Sequence, residues 1–384
     1  MTEEVLIVGG GPVGMALALA LKRGGMDPLL VDAREAGAAG RDPRVLALAP
    51  GTRQTLERLG VWSGLSPTRI ETIHISQRGG FGRTLLSASD YGMPALGYVI
   101  EAGALARSLD LACREAGVKQ VHKTRVSQVQ IEAGCVQVTL EGSQRCETVT
   151  PSLVAWAEGR LEESDGVKVR DYHQHGIITL ARTREAMGRI AYERFTEDGP
   201  LALLPCGNAY AVVFTCAPEK AAELMAMSEA AFLARLQDQF GERLHFVSSE
   251  ARFAYPLLLR YRPDPVGVRQ AWLGNSAQTI HPVGGQGFNL ALRDAWQLAD
   301  TLLKSGPLGM ADPGAPELLA RYGKRRSLDR RSTIGFTDLL VRTFSNANPL
   351  LAMGRGAGLF LLDVLPPARN FVARRMMYGA RAWP

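Results

Sequence analysis

The chain has 384 residues, 46% hydrophobic and 21% charged, with 44 Lys and Arg against 38 Asp and Glu for a formal charge of +6. That length suits two or three domains, and the composition excludes a disordered chain, a fibre and a polytopic membrane protein. Five cysteines (Cys113, Cys135, Cys146, Cys206 and Cys216) form no C-x-x-C pair, which speaks against a disulfide framework and for a reducing compartment. The uncharged run from Val5 to Leu21 carries four glycines and follows Glu3-Glu4 rather than basic residues. It is read neither as a signal peptide nor as a membrane span.

That run opens with Val5-Leu6-Ile7-Val8, an apolar strand of the kind buried in a parallel sheet. The strand leads into Gly9-Gly10-Gly11-Pro12-Val13-Gly14, a G-x-G-x-x-G, and then into a helix from Met15 to Arg23 stopped by Gly24-Gly25. Pro28 to Val31 makes a second strand that ends at Asp32, 18 residues beyond Gly14. Gly9 permits the tight turn, Gly11 lets a pyrophosphate approach the backbone, and Gly14 lets helix and strand pack closely. The helix N-terminus offers free N–H groups to phosphate, and Asp32 stands where a carboxylate binds ribose hydroxyls. The order predicts an adenine dinucleotide site that includes Pro12; which dinucleotide stays open at this point. Beyond Asp32 the regular alternation breaks into Ala38 to Arg44, and a helix follows from Thr52 to Leu59.

A second glycine-rich segment comes some 260 residues later. Ala271 to Gly274 reads as a strand, Asn275 to Asn289 as a loop, and Leu290, Leu292, Ala295, Trp296, Ala299, Leu302 and Leu303 recur at helical spacing. Such a loop at a helix N-terminus suits an anionic or electron-rich group, or it is a plain turn with a satisfied His281.

The segment Gly274-Asn275-Ser276-Ala277-Gln278-Thr279-Ile280-His281-Pro282-Val283-Gly284-Gly285-Gln286-Gly287-Phe288-Asn289 resembles the flavin-binding signature of group A flavoprotein aromatic hydroxylases. Within them it is most similar to the ubiquinone-biosynthesis hydroxylases, in particular the 2-polyprenyl-6-methoxyphenol hydroxylase branch. Asp42 to Leu48 looks like the family's flavin-side arginine segment, with Arg44 its arginine. Gly97 to Glu101 looks like the approach to its next helix, and Arg194 to Pro205 like its substrate-domain strand pair. One departure is Glu158, in Ala157-Glu158-Gly159, where the family has Asp; it bears on nicotinamide use more than on FAD binding.

The resemblance implies an α/β fold. A Rossmann-like FAD domain of the glutathione-reductase type, at 1–72, 98–160 and 265–315, is interleaved with an α+β substrate domain on an antiparallel sheet, at 73–97 and 161–264. A basic helical region, 316–384, follows. Strands are expected at Arg69 to Gln77, Gly176 to Arg182, Ala191 to Phe195, Leu201 to Leu204 and Tyr210 to Cys216, and one helix from Glu219 to Phe240.

The chemistry implied is that of an FAD-dependent monooxygenase. NAD(P)H reduces FAD, O2 gives a flavin C4a-hydroperoxide, and the ring of a polyprenylated phenol is hydroxylated in ubiquinone biosynthesis. The cofactor contacts implied are Gly9, Gly11, Pro12, Gly14, Asp32, Arg44, Asn275, Pro282, Gly284, Gly285, Gln286, Gly287, Phe288 and Asn289. No catalytic side chain is assigned, since the cofactor carries the hard step; His281 is first a structural histidine and second a candidate for contact with the phenol. The six histidines are scattered and no metal site is expected. Two other readings keep the fold: a hydroxylase of a small soluble phenol, and a degenerate flavin-bound scaffold in a biosynthetic complex.

Charge is concentrated at one end. From Glu317 to Pro384 twelve basic residues oppose four acids, a net +8 that leaves the first 316 residues at −2. Arg321 to Arg331 is read as a solvated helix face. Arg369, Arg374, Arg375 and Arg381 stand among Phe371, Met376, Met377, Tyr378 and Trp383, which suits either a peripheral membrane contact or another solvated face. No nucleic-acid module accompanies the charge, so the expected location is cytoplasmic, with the inner face of the cytoplasmic membrane or a ubiquinone-biosynthesis complex as partner.

Overall fold

The computed structural model describes residues 4–80, 82–132, 134–142, 146–161, 166–305, 312–344 and 349–380. Its first layer is a six-stranded sheet ordered Val266–Gly267, Gln270–Trp272, Leu153–Trp156, Val5–Val8, Leu29–Asp32 and Lys119–His122, parallel except for the first strand. Val5–Val8 is apolar throughout because both of its faces are covered. Val5 and Ile7 turn into a core shared with the helices Pro12–Arg23, Ala102–Glu115 and Gly287–Leu303. Leu6 and Val8 turn the other way, against Val136, Val138 and Leu140 of a three-stranded antiparallel meander.

The second layer is a mostly antiparallel sheet that runs Gln278–Thr279, Phe253–Tyr261, Lys168–Thr183, Ala209–Cys216, Pro200–Cys206, Ile190–Phe195, Thr72–Gln77 and Arg83–Ser87. Phe246–Ser249 pairs beside Lys168–Thr183. One face buries Ile177, Leu201, Leu203, Val212 and Phe214 against the helices Pro218–Ala226 and Glu229–Phe240. The single helix expected there is broken at Met227 and Ser228, where the Ser228 hydroxyl caps the second helix by accepting from the Ala231 N–H at 3.3 Å. The strand expected from Arg69 is likewise split. Thr68–Ile70 joins a small sheet with Val45–Leu48 and Gly97–Glu101, while Thr72–Gln77 joins the large one.

The helices Pro316–Phe344, Pro349–Val364 and Pro366–Tyr378 close the molecule. Reading Arg321 to Arg331 as a solvated face is wrong for its central residues: Arg326, Asp329 and Arg330 are buried. Arg326 pairs with Asp294 at 2.7 Å and Asp329 at 2.8 Å, and Arg330 donates to Gln278 Oε1 at 2.7 Å and the Arg262 carbonyl at 2.8 Å. Gln278 lies in the glycine-rich segment and Asp294 on the helix that follows it, so Arg326 and Arg330 serve as internal struts. Among the described residues, no helix is long and apolar enough to cross a membrane. Arg381 and Trp383 lie outside the described residues.

Candidate active site

The first glycine motif divides its work by position. Gly9, at φ +115°, lies so close to the Ala157 carbonyl that a Cβ there would collide with it, and a Cβ on Gly14 would strike the Gly9 carbonyl. These two glycines let helix, first strand and third strand close on one another. At Gly11 nothing lies within 4 Å of where a Cβ would stand. Gly11 also precedes the helix, which has no side-chain cap and no acid in its first turn. Open space beside uncapped N–H groups, at the positive end of a helix starting with Pro12, fits a pyrophosphate.

Asp32 closes the far side of this turn. It accepts from the Gly10 N–H at 2.6 Å and from the Arg34 N–H, Nε and Nη2 at 2.7, 3.0 and 2.7 Å. Burial opposes its ionisation, but the Arg34 and Gly10 donors prevail and hold the carboxyl below the usual carboxylate range. Asp32 therefore remains an anion, with Arg34 half exposed beside it as a second group for a ribose or phosphate.

The second glycine motif adjoins the first. A Cβ on Gly274 would come within 3.5 Å of both Val13 methyls, and the Asn275 amide donates to the Gly159 carbonyl at 3.3 Å, beside the exposed Glu158. Gly284 and Gly285 both have positive φ, and a Cβ on Gly285 would press on Ala47 at 3.0 Å. Asn289 fixes that approach. Its oxygen accepts from the Ala49 N–H at 2.8 Å and the Thr52 hydroxyl at 2.7 Å, and its amide donates to the Ala47 and Gly285 carbonyls at 2.9 and 2.8 Å. All four of its hydrogen-bonding positions are thus taken by protein, and it clamps the Val45–Leu48 strand to the loop. Gln286 is also buried and donates to the Gly284 and Met376 carbonyls at 3.3 and 3.2 Å. Gly287 starts the helix, Phe288 packs on the domain core, and Pro282 is exposed at the loop's edge. Arg44 is exposed and forms an ion pair with Asp42 at 2.6 Å.

His281 is buried and neutral. Its Nδ1 accepts from the Val283 N–H at 3.1 Å, which places the proton on Nε2, and Nε2 has no partner. Burial pushes its pKa down to about 4. The ring meets Tyr172 edge-on at 5.5 Å, next to a cluster of Phe195, Val283 and Val341.

The C-terminal helix reaches this loop as well. Met376 abuts Gly284, Met377 is buried, and the Ala380 N–H donates to Asp329 at 2.9 Å. A surface position is expected for Met376 and Met377, but Met376 lies behind the second glycine loop, in space that the missing side chain of Gly284 leaves, and Met377 is buried with Leu86, Ala88, Leu96 and Ala373. Thr52, Arg34 and Tyr172 were missed, since each acts through a partner distant in the chain or through a side chain of common type.

A family model described as an FAD binding domain matches residues 2–336. The chain belongs to this family. The flavoprotein is 33% identical over 99% of its length to a ubiquinone hydroxylase of Rhodospirillum rubrum, covering 91% of that protein. It is 30% identical over 94% of its length to the 3-demethoxyubiquinol 3-hydroxylase of Escherichia coli, covering 94% of it. Its fold is similar to that of p-nitrophenol 4-monooxygenase from Pseudomonas putida, with a TM-score of 0.74 at 16% identity over 99% of each chain.

Proposed function

We propose that the flavoprotein is an NAD(P)H- and FAD-dependent monooxygenase that uses O2 to hydroxylate the ring of a polyprenylated phenol in ubiquinone biosynthesis. The observation that carries this is the meeting of the two glycine motifs beneath an apolar sheet face. On that face Ile73, Ile75, Ala202, Leu204, Val213 and Ile178 are only half-buried, opposite the loop of Val283 to Gly285. Bound FAD supplies the redox chemistry with O2. The chain's own residues shape the rest. Gly9, Gly11 and Gly14 admit the pyrophosphate, Asp32 and Arg34 meet the adenosine end, and the loop held by Asn289 and Gln286 walls one side of the ring system. The apolar sheet face receives an aromatic ring and excludes water from it. The relatives' names, each a ubiquinone-pathway hydroxylase, support the substrate class.

We also propose a peripheral membrane contact at the inner face of the cytoplasmic membrane. Phe360, Leu361, Val364, Leu365 and Phe371 are all about half exposed, on either side of the turn between the last two helices, in the stretch that also carries Arg369 and the exposed Arg374. Exposed apolar side chains in a basic stretch suit an anionic bilayer, from which a prenylated phenol must be drawn.

The deciding experiment is the lipid profile of a strain lacking the gene. A polyprenyl phenol short of one ring hydroxyl is the expected product to accumulate, and unchanged quinone content would overturn the reading. Stimulation of NAD(P)H oxidation by soluble phenols but not by lipid extract would favour a small-phenol hydroxylase. Failure of NADPH to bleach the flavin in rapid mixing would favour an inert scaffold.

A further inference from the structure

Glu193 lies in the strand Ile190–Phe195, flanked in register by Ile75 on one side and Ala202 on the other. Side chains alternate across a strand, so Glu193 shares a face with Ala191 and Phe195. Ala191 packs in a cluster with Ile70, Val99 and Val45 of the small sheet, and Phe195 packs with Val283 of the flavin loop. Glu193 is bracketed by these two clusters and therefore opens onto the space between the large sheet and the flavin loop. The residue is partly buried, its Oε1 is enclosed, and among the described residues no hydrogen bond reaches that oxygen.

A carboxylate in such a place is unusual. The other deeply placed acids are held differently: Asp32 by Arg34 and Gly10, Asp294 by Arg326 and Gln278, and Asp329 by Arg293 and Arg326. Those acids join elements together. Glu193 joins nothing, so its place in the fold is not explained by stability.

We propose that Glu193 is the base that takes the hydroxyl proton of the phenol substrate. The inference rests on the phenol reading above. The phenolic O–H bond breaks, the proton passes to a Glu193 oxygen, and the electron pair stays on the phenolate oxygen, where it makes the ring a better nucleophile. Oxygen transfer leaves a neutral dienone; the acid returns its proton to the dienone oxygen while the ring C–H proton leaves to solvent, so the aromatic ring and the base are both restored. Burial raises the Glu193 carboxyl to about 7, nearer to a phenol than an ordinary carboxyl is.

The charges nearest this face are Glu101 and Glu250, toward its Cys206 edge, where burial and these two carboxylates push the thiol up. Thr72–Gln77 contributes Ile73, Ile75 and Gln77, and Pro200–Cys206 contributes Ala202, Leu204 and the Cys206 thiol. His74 and Arg194 point to the opposite face, where they meet Arg243 and the Gln239 carbonyl. On the helices nearby, Asp338 holds Arg170 and Tyr172, and Arg355 donates to the Thr343 carbonyl.

The test uses FAD-loaded protein and a 4-fluorophenol carrying a short prenyl chain at carbon 2. The 19F shift of the bound probe reads its ionisation without reference to turnover. In the native protein the 19F shift of the bound probe is expected to change as pH crosses about 7, where Glu193 gains or loses the proton it shares with the phenol hydroxyl, and in Glu193→Gln to stay flat there at similar affinity. Turnover of the variant should fall by about 10²–10⁴-fold in kcat with KM little changed, and recover as alkaline pH ionises the phenol directly. The same pH profile of the shift in both proteins overturns the role of Glu193 while leaving the phenol reading intact. Failure of the probe to bind even the native protein overturns both. Should the Gln variant not retain FAD, Glu193→Asp is read in the same way: an ionisation profile identical to the native one overturns the proposal.

Discussion

Arg326 Nε donates to Asp294 Oδ1 at 2.7 Å, with both side chains sealed from solvent. Asp294 belongs to the helix that starts at the flavin loop, and Arg326 to the first C-terminal helix. The pair therefore fastens the end of the chain to the flavin domain. Asp294 also accepts from Gln278 at 2.6 Å, and Gln278 accepts in turn from Arg330 at 2.7 Å, so the contact is a network. Removing one partner leaves a buried charge without compensation. Arg326→Ala should cost about 3–5 kcal/mol in chemical denaturation, and Arg326→Met with Asp294→Leu should restore most of it. A single variant as stable as the native protein would show that the network is dispensable.

The glycines of the first motif should separate folding from cofactor binding. Gly14→Ala drives a Cβ into the Gly9 carbonyl, so the apoprotein itself should be destabilised. Gly11 has extended backbone at φ −81° and open space where its Cβ would lie. Gly11→Val should leave the melting temperature of the apoprotein within a few degrees of native and abolish FAD retention. Purified protein that stays yellow after this change would contradict the pyrophosphate placement.

Local sequence pattern places the first motif but not the partners it packs against. From Val5 to Asp32 every signal is local: an apolar run, three spaced glycines, a helix and an acid. Strand, turn and helix are accordingly where the residues place them. What the local pattern cannot contain is the partner. Leu153–Trp156 lies beside Val5–Val8 although some 145 residues separate them. Arg326 and Arg330 look like surface cations until the helix carrying them meets Asp294 and Gln278. Glu193 is hidden for the same reason. Between Tyr192 and Arg194 it reads as one polar residue in an ordinary strand, and only the clusters on either side of it show which face meets Val283 and the glycine-rich loop. An acid sharing strand parity with Ala191 and Phe195 was the one signal available.

Buried titrating groups should shape the stability profile on the acid side. Burial takes His281 down to about 4, and burial with Arg243 does the same to His74, from an ordinary 6.5. Unfolded protein then binds these protons between pH 6.5 and 4 while folded protein does not. Stability is fully present above 6.5 and falls as pH drops through this window. Glu193 acts in the opposite sense: raised from 4.5 to about 7, it lowers stability as pH rises through that interval. His281→Gln should flatten the acid-side slope by about one proton, and Glu193→Gln should raise stability at pH 8 relative to pH 4.5. Denaturation midpoints from pH 4 to 8 measure both, and an unchanged slope in His281→Gln would mean that the ring is charged in the folded protein.

The exposed patch at the last two helices is tested most directly by separating its apolar and charged parts. Phe360 and Phe371 are 53% and 60% exposed, so each has apolar area still to bury. At about 25 cal/mol per Å², half-burying one phenyl ring is worth roughly 1 kcal/mol, and losing two should weaken membrane binding by about tenfold or more. Each nearby Arg adds about 1 kcal/mol at an anionic surface, a contribution that salt screens within a Debye length. Sedimentation with vesicles of phosphatidylglycerol and phosphatidylethanolamine should therefore give two signatures. Phe360→Ser with Phe371→Ser lowers binding at every salt concentration, whereas Arg374→Gln lowers it only at low salt. Neither change touches the flavin loop, so turnover of a soluble phenol should be preserved while turnover of a vesicle-borne one declines. Native affinity for vesicles in the double Phe variant would remove the patch as the docking face and leave the apolar surface without a membrane role.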